Sequence, residues 1–122
     1  MDLTLASSND SNLIRSYAAG EIRVGEQRIA GSCIITPHSV LTDVLPQRLQ
    51  QLSAEHIERI LQLAPDVVLT GTYPTQQFPA ATIRALLHAR GVAIEAMELG
   101  SACRTYNVLV QDRRNPVALL FP

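Results

Sequence analysis

The stretch SAEHIERILQLAPDVVLTG, running from Ser53 to Gly71, sets two periodicities side by side. In its first half Ile57, Ile60, Leu61 and Ala64 recur at i, i+3, i+4 and i+7, the stripe of an amphipathic helix. Ser53 suits the cap at its start and Pro65 stops it. The second half, Asp66-Val67-Val68-Leu69-Thr70, is a short continuous apolar run. A strand covered on both faces takes that form. A helix feeding such a strand predicts an α/β domain with a largely parallel sheet.

The same alternation continues downstream. Gly71 opens a loop to Phe78, and Pro79 suits the first turn of a second helix with Ile83 and Leu87 inside and Gly91 at its end. Val92 to Met97 reads as the next strand, interrupted by Glu95. Ser101 can cap a third helix that puts Ala102, Cys103, Tyr106, Leu109 and Val110 on one face. Asp112 to Pro116 turns the chain into a final buried strand, Val117 to Phe121.

Upstream the period is two. Leu13 to Ala18 is mixed apolar, Gly20 marks a turn, and Glu21-Ile22-Arg23-Val24 alternates before Gly25. Gln27 to Thr36 reads as one further strand closed by Pro37, and His38 to Leu52 as irregular with one helical turn. The predicted architecture is a three-layer α/β fold with a mixed central sheet, N-terminal β-hairpins and three main helices. Residues 13–122 form its single domain, and the polar segment 1–12 is expected to be frayed.

Bulk composition narrows the function classes. Ten basic residues, all Arg, nearly balance eleven acidic ones, and a net charge of −1 offers no clustered positive field for nucleic acid. No run of about 18 apolar residues is present to insert in a membrane, and the start lacks the pattern of a signal peptide. A cytoplasmic address is the expectation. Cys33 and Cys103 match no metal or redox spacing and are expected to be free, buried thiols.

No standard catalytic set is complete. His38 lies in a turn, His56 in the first turn of a helix and His88 on an outer helical face, with no metal-ligand spacing among them. Thr70-Gly71-Thr72 is neither a Walker loop nor a dinucleotide fingerprint. No catalytic residue, metal or cofactor is therefore assigned. One constellation survives, because ligands in parallel sheets sit beyond the carboxyl ends of the strands. That edge would gather Gly71, Thr72 and Tyr73 with Gly100, Ser101 and Arg104, and free N–H groups at the start of the third helix would suit an anion. The competing reading makes Ser101 a plain cap and pairs Arg104 with Glu95 or Glu98. On that reading Arg104 is at least half buried, and its loss costs about 3–5 kcal/mol. Tyr106 and Asn107 share the ambiguity, as pocket members or as a satisfied core ring and a loop tie.

The block Ala102-Cys103-Arg104-Thr105-Tyr106-Asn107-Val108-Leu109, with Ile94-Glu95-Ala96-Met97 before it and Arg113-Arg114 after it, resembles a known signature. Ser16-Tyr17, Val68-Leu69-Thr70-Gly71-Thr72 and Gln77-Phe78-Pro79 extend the match to nearly the whole chain from Leu13. The chain is similar to a small domain family of unknown function that includes mitochondrial complex I assembly factor 3 and the adipogenesis-associated Mth-type protein. It departs from that family in carrying Tyr73 where a second Gly is usual, which narrows any pocket there, and in having no Trp. The resemblance implies a three-layer fold, no established enzymatic activity, and a partner that is another protein. Two functions follow as expectations: a non-enzymatic protein-binding domain active in respiratory-complex assembly, or a small-molecule or anion binder using the strand-end pocket near Gly71 and Arg104.

Overall fold

The computed structural model describes residues 11–122. Eight strands and three α-helices follow in order. They are β1 (Ile14–Ala18), β2 (Glu21–Val24), β3 (Gln27–Ala30), β4 (Cys33–Thr36), β5 (Ser39–Leu41), α1 (Ala54–Leu61), β6 (Val67–Thr72), α2 (Ala81–Ala89), β7 (Ala93–Glu98), α3 (Leu99–Gln111) and β8 (Pro116–Phe121). A single 3₁₀ turn at Leu49–Gln51 precedes α1. Of the segment expected to be frayed, residues 1–10 lie outside the described residues. Asn12 is anchored: its N–H donates to the Pro37 carbonyl, and its side-chain amide donates to the carbonyls of Thr36 and Ser39.

The strands form two sheets. β1, β2 and β3 make a three-stranded antiparallel meander, and the other five make a mixed sheet in the order β5-β4-β8-β6-β7. β6 is parallel to both β7 and β8, while β4 runs antiparallel to β8 and β5. Burial follows position in the sheet. The central strands β4, β6 and β8 are buried at every residue, and the edge strand β7 alternates between exposed and partly covered. Glu95, which interrupts the apolar pattern of β7, therefore points from an edge into solvent, where a lone carboxylate stays hydrated.

Each face of the five-stranded sheet owns a core. Ile34, Val68, Val117 and Leu119 pack under Ile57 and Ile60 of α1 and Ile83 and Leu87 of α2. Cys33, Ile35, Leu69, Ala118 and Leu120 pack under Ala102, Cys103, Tyr106 and Val110 of α3, with Ile14, Ile22 and Ile29 of the small sheet closing the same cluster. Each fully buried aliphatic side chain contributes about 1.5–3 kcal/mol relative to exposure. The result is the three-layer arrangement read from the sequence.

Several local expectations are corrected. α1 ends at Leu61, so Ala64, at φ +53°, lies past its stripe and Pro65 is not what stops it. Pro79 precedes the Ala80 cap of α2, and Gly71 lies inside β6 and does not open the loop. Gln27 to Thr36 is not one strand: Gly31, at φ +86°, turns the chain out of the small sheet and into the large one. The region from His38 to Leu52 contains β5 as well as its helical turn. The third helix begins at Leu99, so its cap is Glu98 and not Ser101.

Candidate functional site

Gly71 sits in the penultimate position of β6, pressed beneath α3. A Cβ there would lie 2.7 Å from the Ala102 Cβ and 3.0 Å from a Leu120 methyl carbon. The absence of a side chain is what lets α3 approach the sheet this closely. Thr72, next along, closes the following loop on itself: its hydroxyl donates to the Thr75 carbonyl at 2.7 Å and accepts the Gln77 N–H at 3.0 Å. Tyr73 then leaves the sheet and is 47% exposed.

The start of α3 is already occupied by an anion of the chain's own. β7 ends at Glu98 and α3 begins at Leu99, with no linker between them. Glu98 Oε1 accepts the Ser101 backbone N–H at 2.8 Å and the Ser101 hydroxyl at 3.0 Å. These bonds, first the backbone one, hold the Glu98 carboxyl below the usual carboxylate range. Arg104 reaches the same oxygen at 3.8 Å, together with the hydroxyls of Tyr17 at 3.3 Å and Ser101 at 3.4 Å. Its partner among the two candidates is thus Glu98. The side chain is half exposed, however, and classed with the surface, so the expected buried pair is a surface one. The expected cost of its loss falls accordingly, since exposed pairs contribute about 0–1 kcal/mol.

Tyr106 and Asn107 face the interior. The Tyr106 ring is fully buried and its hydroxyl donates to the Asn12 carbonyl at 2.9 Å. Asn107 accepts the Ile14 N–H at 2.8 Å and donates to the Ile14 carbonyl at 2.9 Å. Asn107 thus straps the first strand to α3, where a tie to a loop is the expectation, and Tyr106 holds the segment just ahead of that strand.

The cleft beyond the carboxyl ends of β6 and β8 has a volume of about 480 Å³. Thr72 and Tyr73 line it, as do Arg48, Leu49, Gln77 and Phe121, whereas Gly71, Ser101 and Arg104 do not. The structure thus divides the predicted constellation: its strand-end members reach the cleft, its helix members form the Glu98 cap, and Tyr106 and Asn107 belong to the core. Arg48 escaped the sequence reading because it lies in an irregular loop, where no periodicity marks a side chain as facing a cleft.

No cysteine or histidine among the described residues lines this cleft. Burial pushes both thiols up to about 12, with neighbouring Cys33 adding to the rise at Cys103. His56 spends its Nδ1 on the Ser53 N–H at the start of α1. His38 and His88 are exposed. Among the described residues no three His, Cys, Asp or Glu side chains converge as a metal site, and no helix is long and apolar enough to cross a membrane.

Comparisons with known proteins bear on the family and the fold. The family model described as protein of unknown function (DUF498/DUF598) matches residues 14–121. The 13 kDa major membrane protein of Francisella tularensis is 33% identical over 67 residues, 55% of this chain and 54% of its own. The NADH dehydrogenase (ubiquinone) 1 alpha subcomplex assembly factor 3 of Bos taurus is 30% identical over 112 residues, covering 89% of this chain and 60% of its own. The chain thus spans little more than half the length of these curated relatives. An NMR structure of a Xanthomonas campestris protein superposes with a TM-score of 0.83 at 31% identity, over 99% of this chain and 92% of that one. From the first strand to the last, then, the chain belongs to the DUF498/DUF598 family of proteins of unknown function.

Proposed function

We propose that this chain is a non-enzymatic protein-binding domain that works in the assembly of a respiratory complex, on the cytoplasmic side. The observation that carries the reading is the likeness to complex I assembly factor 3 over 89% of the chain. Two features of the surface support it. The groups able to do acid–base or nucleophilic chemistry are buried, capped or scattered. The β6–α2 loop instead offers two exposed aromatic rings, Tyr73 at 47% and Phe78 at 61% exposure, the residue type that anchors protein contacts. Tagged protein purified from membrane and soluble fractions of a native host should bring down a reproducible respiratory subunit. A Tyr73→Ser, Phe78→Ser double variant of unchanged thermal stability should lose it. Repeated recovery of the tagged chain alone from both fractions would sink the proposal.

A second reading, a small-molecule or anion binder, rests on the strand-end cleft, whose volume falls in the range of ligand sites. Its cation is Arg48, not Arg104. A thermal-shift screen of anionic metabolites should then find a stabiliser whose effect disappears in Arg48→Ala and persists in Arg104→Ala. A screen without any stabiliser removes this reading.

A further inference from the structure

At the other end of the sheet, where β6 and β8 begin, lies a second cleft of about 500 Å³. Ser11, Pro37, His38, Arg113 and Arg114 are among the residues that line it. The one carboxylate on that wall, Asp66, already accepts the Asn115 N–H at 2.8 Å. Neither guanidinium has an ion-pair or hydrogen-bond partner among the described residues: the ion pairs formed there by arginines involve Arg15, Arg23, Arg90 and Arg104. Two adjacent arginines without a partner among the described residues, a histidine and a serine thus border one concavity.

The backbone beneath them adds a second observation. α3 ends with the Arg113 N–H bonded to the Val110 carbonyl and the Arg114 N–H to the Leu109 carbonyl. α2 ends with the same pair of bonds, Gly91 to His88 and Val92 to Leu87. This closure puts one residue in the left-handed region, where glycine is the unstrained choice. α2 uses Gly91 there at φ +74°, and α3 uses Arg113 at φ +61°. The turn after α1 has Ala64 at φ +53°, but there the Asn115 side-chain amide grips the carbonyls of Leu63 and Ala64 from outside. Among the described residues Arg113 has no counterpart of that grip, and its N–H closes on the Val110 carbonyl. A charged side chain held at a strained position beside a cleft is the kind of outlier that marks a functional residue.

We infer that this cleft binds the phosphate group of a small phosphomonoester, with Arg113 and Arg114 as its paired charges. Guanidinium forks match phosphate oxygens bidentately, and two of them outweigh the single Asp66 carboxylate on the same wall. Ser11 and His38, which also line the cleft, are assigned as further hydrogen-bonding residues, and the volume exceeds that of a bare phosphate, leaving room for the body of the ester. The inference does not depend on the protein-binding proposal.

The test is an amide NMR titration of the full chain with inorganic phosphate and with phenyl phosphate, against chloride at matched ionic strength. Both phosphates should give saturable shifts at Arg113, Arg114, Asn115 and His38. Arg113→Gly and Arg114→Ala should each weaken binding about tenfold, the loss of one charge-assisted contact. Arg113→Gly also removes the strained side chain, so it should melt at or above the parent temperature. That separates loss of a binding group from loss of fold. Parental affinity in Arg113→Gly, non-saturating shifts spread over the surface, or a response to inorganic phosphate without one to phenyl phosphate would each overturn the inference.

Discussion

Asn107 on α3 satisfies both backbone groups of Ile14 on β1, its oxygen taking the N–H at 2.8 Å and its amide reaching the carbonyl at 2.9 Å, across 93 residues of sequence. Asn107 and Ile14 are both fully buried, so no water can replace a lost partner. An orphaned buried polar group costs about 1–3 kcal/mol. Asn107→Leu strands two, and urea denaturation should record a loss of about 3 kcal/mol or more. A loss under about 1 kcal/mol would mean that β1 finds other partners.

Gly71→Ala should destabilise by about 1–3 kcal/mol, because the added methyl meets Ala102 and Leu120 within a closely packed layer. Pairing it with Ala102→Gly removes the nearer contact and should restore part of the loss. An unchanged melting temperature for Gly71→Ala would show that α3 can shift outward freely.

Thr70 presents the opposite case. Its hydroxyl is buried and has no partner among the described residues. Thr70→Val keeps the shape and removes the unsatisfied group, so it should gain about 1 kcal/mol in the same urea assay. A loss of stability would reveal a bound water or an unrecognised acceptor.

The two thiols give the stability a slope in alkali. Their ordinary value is 9.0 and burial pushes each up to about 12. Between those values the unfolded chain has released protons that the folded chain keeps, so it binds fewer, and stability falls as pH rises. Below about 9 the contribution is fully present. Melting temperatures taken across this window should decline less steeply for a Cys33→Ala, Cys103→Ala variant than for the parent, whatever their offset at neutral pH. A thiol-specific reagent should label the native protein only as fast as it opens.

For Arg104→Ala we expect a loss of no more than about 1 kcal/mol, the range of an exposed ion pair. Glu98→Ala removes the cap itself and should cost about 1 kcal/mol. Because the Glu98 carboxyl is held below its ordinary value, its contribution is present above the unfolded value of 4.5 and fades as the pH falls below it. Glu98→Gln should therefore flatten the acid side of the stability profile. Cooperative unfolding of Arg104→Ala at ordinary temperature would restore the idea of a buried pair.

The elements that read correctly from sequence are those whose period survives their surroundings. Ile57 and Ile60 of the helical stripe and the run Val67 to Thr70 are buried throughout and so declared themselves, whereas Ala64, the last member of the expected stripe, lies exposed beyond the helix end. The split at Gly31 did not, because apolar alternation runs through it from Gln27 to Thr36 while the chain changes sheets. β5 is three half-buried edge residues, too few for any period to show. The start of α3 was misplaced because Ser101 is the commoner cap, and a strand passing directly into a helix lets the longer Glu98 side chain do the same work from three residues earlier. Tyr106 and Asn107 are open in sequence to a pocket and a core reading, and their burial against apolar neighbours decides for the core, where burial demands partners. Arg48 had no such context.

The place of β8 bears on how the chain must come together. Its ladders to β4 on one side and β6 on the other are what join the antiparallel half of the large sheet to the parallel half. Until residues 116–121 have been synthesised and threaded between them, β4 and β6 each present an open edge composed wholly of residues buried in the native state. Closure then depends on contacts far apart in sequence, which slows folding. A nascent or truncated chain lacking this strand would carry two adhesive edges at once, and its expected fate is aggregation rather than a smaller folded core.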